Sequence, residues 1–419
     1  MKVLNVILGG LAALVSTAAA QSATTIPPCA LQCTKQAISE LCDLTDTKCM
    51  DTCTNVELNA LITPCVEKGC TVREGLTTKR ISDIQCGRPV RDRTKLISVI
   101  GVVGGILALI AFILRMMARL PVFNGGQFGM DDAMIVLAMM FTVPFSVFSV
   151  LLANAGLGKD MWHVAFDDIT MVLYIYFFDE WLYLSALTFT KLSLHFFYLR
   201  IFPQKSFRTA IYVVMAATAS YGIAFVLVSI FQCSPIKSAW LRWDGTSPGT
   251  CNNINLQGWL SAAFNIVLDF VTLVLPLREL ARLELWRKKK IHICLMFTVG
   301  SFVTIVSILR LHTLLKFAST HNLTWDYVEM GYWSTIEIHV GIICACMPAM
   351  RSLFRKMFPV LFSYTEHPKS GTFGAMSGSR EESMMRSAER LSQKPKKLHD
   401  SDSVPLVEVE TGRHYYHAM

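Results

Sequence analysis

The sequence predicts an all-α protein, a seven-helix transmembrane bundle preceded by a small disulfide-rich helical domain. Three observations carry this: 53% hydrophobic against 17% charged residues, seven apolar stretches of membrane-spanning length, and eight of 13 cysteines crowded between Cys29 and Cys86. A soluble surface cannot be built from that balance. The net charge of +8 is spread beside apolar runs rather than gathered in one patch, which argues against a nucleic-acid partner and names the lipid bilayer as solvent.

Residues 1–20 read as a signal peptide: Lys2, an apolar run from Val3 to Val15, and Ala18-Ala19-Ala20 before Gln21. The next segment, 21–90, therefore enters an oxidising compartment, and its cysteines, Cys29, Cys33, Cys42, Cys49, Cys53, Cys65, Cys70 and Cys86, form a disulfide framework of open connectivity. A zinc site would call for histidine or paired CxxC motifs, and residues 1–90 contain no histidine. Cys29 and Cys33, like Cys49 and Cys53, lie one helical turn apart, so short helices stapled together are expected. A tether over 91–95 leads into the bundle, 96–360.

The spans fall near 96–118, 133–153, 171–199, 209–232, 256–277, 291–314 and 329–349. Lys and Arg set their direction: 14 lie at one set of ends, from Arg115 and Arg119 through Arg278–Lys290 to Lys356, against Lys159, Lys237, Arg242 and Lys316 at the other. A multi-pass plasma-membrane protein with its amino terminus extracellular and its carboxyl terminus cytoplasmic is expected. Arg88, Arg91, Arg93 and Lys95 oppose that bias, and the signal peptide overrides them. Asn322, in Asn322-Leu323-Thr324, is a glycosylation acceptor in the third outer loop. Cys233 and Cys251 flank the second outer loop and are expected to bridge. Residues 361–419, rich in Ser, Lys and Glu, read as a disordered cytoplasmic tail with no closing apolar stretch for a lipid anchor.

Ionisable residues inside spans are costly unless paired or wet. Depth along ideal helices places Glu180, Arg310 and Glu337 in an outer cluster near a ligand cavity, and Lys191 with Asp269 in an inner pair. Either group has the alternative role of specifying the fold alone. Asp131 and Asp132 begin the second span, where carboxylates cap free N–H groups and meet the helix dipole. Cys294, Cys344 and Cys346 read as packing residues.

The ordered run Pro28-Cys29-Ala30, Cys33, Cys42, Thr45-Asp46, Cys49, Cys53, Cys65, Cys70 and Cys86 resembles the fungal CFEM domain, with three residues where that family commonly has one between its fourth and fifth cysteines. The resemblance implies haem as a candidate cofactor with Asp46 as axial ligand of its iron. The residues themselves equally support Asp46 as a helix cap. GMDDAMIVLA, GLGKDMWHV, EWLYLSALTFTKLSLHFFYLRIF, FNIVLDFVTLVLPLREL and WSTIEIHVGIICACMPAMRSL resemble the fungal rhodopsin-like integral membrane domain. Together they imply a G-protein-coupled-receptor-like protein that senses surface or host cues, with a small-molecule or surface ligand and a heterotrimeric G protein as partners. Haem-iron acquisition and an infection-associated interaction protein without a ligand switch stay open beside it. Retinal is not expected, because the seventh span, 329–349, has no lysine. No HExxH, GxSxG or P-loop motif suggests an enzyme.

Overall fold

The computed structural model describes residues 25–43, 46, 48–123, 127–282, 287–317 and 322–357, with side chains throughout except at 123, 278–297, 316–317, 351–352 and 354–357. The expected signal peptide and tail lie outside these residues, as do the side chains of the basic segment at 278–290.

The amino-terminal module is three short helices, α1 (Pro28–Leu41), α2 (Val56–Gly69) and α3 (Val72–Gln85). Each begins for a local reason. Pro28 presets φ at the first turn of α1, Asn55 accepts from the Leu58 amide at α2, and Thr71 with Glu74 forms a reciprocal capping box at α3. Cys29–Cys70 and Cys33–Cys65 staple α1 against an antiparallel α2, Cys42–Cys49 closes the following turn, and Cys53–Cys86 ties in the end of α3. Only a few apolar side chains such as Ala30 and Leu58 are fully buried here, so the bridges supply what the core lacks.

Seven long helices follow: α4 (Thr94–Ala118), α5 (Met130–Asn154), α6 (Phe166–Ile201), α7 (Lys205–Ile230), then, after the short α8 (Ser238–Leu241), α9 (Ile254–Arg282), α10 (Arg287–Phe317) and α11 (Leu323–Met357). Six of them, α4, α5, α7, α9, α10 and α11, are long and apolar enough to cross a membrane. The third, α6, differs in composition rather than length, since its 36 residues include Asp167, Asp168, Asp179, Glu180, Lys191 and Arg200. Extending about 54 Å at 1.5 Å per residue, it packs along α5 and α7 and reaches α11.

The lipid-facing and buried sides of α4 are distinct. Val99, Val103, Ile106, Ile110 and Ile113 make one exposed apolar stripe, which is a liability in water and a match to acyl chains. The other face is small: Gly101, Gly104, Ala108 and Ala111 let α5 and α11 approach closely. At Gly104 a Cβ would stand 2.3 Å from Nδ1 of His339 on α11. In α11, 61% of the apolar span is buried against 22% in α4, which puts α11 at the centre of the bundle. Leu182, Ala186 and Leu187 of α6 join Ile338, Ile342 and Ala345 of α11 in the main core.

The module end of the bundle is closed by tightly bonded connections. Cys233 and Cys251 are bridged across a two-stranded antiparallel pair, β1 (Cys233–Ser234) and β2 (Thr250–Cys251). Residues 91–93, 157–160 and 322–324 form a braid: Arg93 N donates to Gly158 O (2.8 Å) and Gly158 N to Thr324 O (2.9 Å). Gly158 holds φ +107°, and a Cβ there would collide with the Thr94 amide at 2.7 Å. The tether at 91–95 is thus an integral part of this braid rather than a free linker. Its arginines are also consumed: Arg91 pairs with Asp160, Arg93 reaches Glu329 at 3.7 Å, and both guanidinium groups lie over Trp325 at 4.2 and 4.4 Å. Each guanidinium is thus held by a carboxylate and an indole of the same end of the bundle.

Candidate functional site

Where α6, α9, α10 and α11 diverge toward the module end they leave a partly open cavity of about 60 Å³. Its walls are aromatic and polar: Tyr176, Tyr183 and Tyr327 with Asp179, Glu180, Ser261, Arg310 and Ser334. Tyr176 and Tyr327 meet edge to face at 4.6 Å. Two of the buried polar atoms on this wall, Asp179 Oδ1 and Arg310 Nε, have no hydrogen-bond partner among the described residues.

Glu180 takes a different environment from the one expected of it. It accepts from Ser229 (3.0 Å), Gln257 (3.1 Å) and Gln232 (3.3 Å), amide and hydroxyl donors of α7, α9 and their connection, rather than bonding Arg310 or Glu337. Arg310 does approach Glu337, at 3.9 Å, and the contact is relayed by a phenol: Arg310 Nη1 donates to Tyr183 Oη, which donates to Glu337 Oε2. The guanidinium also lies over the Tyr183 ring at 4.1 Å.

Lys191 and Asp269 pair at 2.9 Å, as their depths suggested. The expected division into an outer and an inner cluster does not hold, because Asn265 spans it. Its Oδ1 accepts from Lys191 Nζ (2.5 Å), and its Nδ2 donates to Glu337 Oε1 (2.7 Å) and Asp269 Oδ2 (3.2 Å). The Ser307 hydroxyl lies within hydrogen-bond reach of both carboxylates, Glu337 Oε1 at 2.5 Å and Asp269 Oδ2 at 3.1 Å, and its one proton serves one of them at a time. Two cations and two anions on four helices therefore form one network, running from the cavity wall into the bundle. Depth counting missed it because Asn265, Ser307 and Tyr183 carry no formal charge; a polar residue one turn before Asp269 was the available signal.

At the far end, Asp131 and Asp132 do more than cap. Asp132 accepts from the Gly129 amide, but both carboxylates are buried against Arg115 and Arg119, and Arg115, fully buried, also donates to Ala345 O of α11 at 2.6 Å. Arg200 of α6 joins Asp131 at 3.3 Å. Read for topology, Arg115 and Arg119 were simple interfacial charges. The signal for their partners was the i, i+4 spacing of two arginines, a short loop, then two aspartates.

The module sits on the opposite end of the bundle, the one that holds the cavity, through α3. Arg73 pairs with Asp244 at 2.8 Å, Trp162 Nε1 donates to Asp83 at 2.7 Å, and Leu76 packs among Met161, Val164, Ile169 and Trp243. Burial of the Asp244 carboxylate opposes its ionisation, but hydrogen bonds from Thr246 and Arg73 outweigh that and hold its pKa below the usual carboxylate value. The Asp160 hydrogen bond raises the Arg91 pKa above its ordinary value.

Asp46 is exposed, and its Oδ1 accepts from the amides of Lys48 (3.0 Å) and Cys49 (3.2 Å). This is the cap geometry, and the described module offers no observation that calls for a porphyrin there. A cluster of Cys29, Cys70 and Glu74 atoms is likewise accounted for by a disulfide and a capping box. Asn322 is turned inward: Nδ2 donates to Asp160 (2.8 Å), Oδ1 accepts from Met161 N (2.9 Å), and the Thr324 hydroxyl is buried on Lys159 O. A glycan on Nδ2 would compete with the Asp160 bond. Cys344 and Cys346 are buried free thiols.

The CFEM domain family matches residues 22–87 and the fungal rhodopsin domain family residues 114–356, more than half of the chain. A SAT4 family membrane protein of Emericella nidulans is 30% identical over 58% of this chain and 62% of its own length. Satratoxin biosynthesis SC1 cluster protein 4 of Stachybotrys chartarum is 29% identical over 42% and 63%. Receptor GIN3 of Arthrobotrys oligospora is 25% identical over 45% of each chain. The matched regions thus span less than two thirds of these relatives' own lengths. No solved structure matches. The helices, the apolar lipid face and the family match agree: this is a multi-pass membrane protein that belongs to the fungal rhodopsin domain family and carries a CFEM domain ahead of its bundle.

Proposed function

We propose that the protein is a receptor of the plasma membrane, with the cysteine module outside, the cavity as ligand site and the far end facing a cytoplasmic partner of the heterotrimeric G-protein class. The cue is a surface- or host-derived ligand. The observation that carries this reading is the continuity of the cavity with the Arg310–Tyr183–Glu337–Asn265–Lys191–Asp269 network. A ligand on the cavity wall thereby acts on four helices at once, and a change at one bond must be shared by the rest. The name of the relative Receptor GIN3 supports the class. No catalytic step is part of the reading, and none is routed through haem.

Glu337→Gln tests it, since the substitution keeps shape and removes the charge that Tyr183, Asn265 and Ser307 share. In intact cells a downstream reporter should respond to surface contact with the native protein and lose at least tenfold in the variant at equal surface expression. An equal response, or none from the native protein, overturns the proposal. An amino-terminal epitope reached by antibody on intact cells, with a carboxyl-terminal one protected, is the expected orientation.

A further inference from the structure

Resting on the receptor reading, we infer that the bundle cavity takes a small zwitterion, a molecule with an ammonium and a carboxylate a few bonds apart, as in an amino acid.

Two residues on the cavity wall carry unsatisfied atoms of opposite need. Asp179 is 6% exposed, lines the cavity, and presents Oδ1 without a donor among the described residues. A buried carboxylate oxygen without a partner is costly, so the missing group is a donor, best an N–H carrying positive charge. Arg310 lines the same cavity and presents Nε–H without an acceptor. Its Nη1 is already used on Tyr183, so the missing group there is an acceptor, best a carboxylate. One ligand that satisfies both must donate at one end and accept at the other.

A zwitterion matches both needs with one molecule, an ammonium for Asp179 Oδ1 and a carboxylate for Arg310 Nε. The tyrosine rings fit the ammonium end: Tyr176 and Tyr327 both line the cavity, and ring faces attract cations. Size limits the ligand. A volume of about 60 Å³ holds roughly four to six waters at 10–15 Å³ each, which matches a molecule of the glycine or alanine class.

The experiment uses the full chain in lipid nanodiscs, with thermal unfolding followed against glycine, L-alanine, β-alanine and γ-aminobutyrate. Propylamine and propionate serve as matched single-charge controls. At least one zwitterion should raise the midpoint saturably, neither control should, and Asp179→Asn and Arg310→Gln should each weaken that ligand at least tenfold. Should a variant fail to fold, Ser334→Leu, which narrows the cavity without touching either charge, should abolish the shift in its place. Absence of a shift with every zwitterion, or an equal shift with a control, overturns the inference and leaves the two atoms to water. Binding without a cellular response would instead fail the receptor reading alone, and a cellular response to other cues that survives Asp179→Asn would fail the ligand class alone.

Discussion

Lys191 of α6 and Asp269 of α9 form a buried ion pair at 2.9 Å, and Asn265, one turn before Asp269, bonds both of them. The pair is therefore held by a neutral intermediary that also touches Glu337. Removal of either charge should strand the other at a cost of about 3–5 kcal/mol, so Lys191→Met or Asp269→Leu should reduce surface expression sharply. The double change should recover expression only in part, because Asn265 Oδ1 then loses its donor. Full recovery, measured by surface labelling, would show that Asn265 adds nothing to the pair.

Arg115 serves two carboxylates and a carbonyl at once. Only a planar fork does this, so Arg115→Lys should behave more like a loss than a conservative change. We expect several kcal/mol of destabilisation from Arg115→Gln and at least half of it from the lysine variant. Thermal unfolding in nanodiscs reads the difference.

Docking of the module through Arg73 and Asp244 has a defined acid limit. The folded-state pKa of Asp244 is depressed from 3.8, so its contribution is present above the unfolded value and is lost as pH falls through the folded one. The protection of the α3 amides, that is, their exchange relative to the intrinsic base-catalysed rate at each pH, should stay constant between pH 5 and 8, roughly the range of maximal stability, and fall only below about 3.8. Arg73→Ala should loosen α3 at neutral pH by no more than about 1 kcal/mol, since Arg73 is half-exposed.

Gly104 should tolerate no side chain, because His339 occupies the position of its Cβ. Gly104→Ala is expected to cost about 1–3 kcal/mol through overpacking, and Gly104→Val more. Replacement of an exposed neighbour, Val103→Leu, should be neutral, with the unfolding midpoint as the measure.

Much of this architecture was legible because hydrophobic runs, cysteine spacing and cap residues are local signals. Cys29 and Cys33 share one face of α1, as their one-turn spacing indicates, and Lys191 finds Asp269 because depth along a helix is a one-dimensional quantity. The pairing of cysteines, by contrast, depends on how α1 lies against α2, which no spacing specifies. Glu180 lines the cavity as expected, but its partners were not legible for a similar reason. Two adjacent carboxylates on one helix differ by about 100° of rotation, and only packing decides that Glu180 meets Gln257 and Ser229 while Asp179 faces the cavity unpaired. The far-end cluster was hidden because Arg115 and Arg119 also satisfy a topological rule, which made a second role easy to overlook.

The small-residue face of α4 also sets an order in time. This helix is the first of the seven to leave the ribosome, yet the surface that Gly104 must cover belongs to α11, the last. Until residue 339 has been synthesised, the groove around Gly104 has no occupant from its own chain, and the Arg115 fork lacks the Ala345 carbonyl. Closure of the ring therefore waits on completion of the polypeptide, and a nascent chain cut short within α11 would leave its earliest helix with α5 alone to pack against.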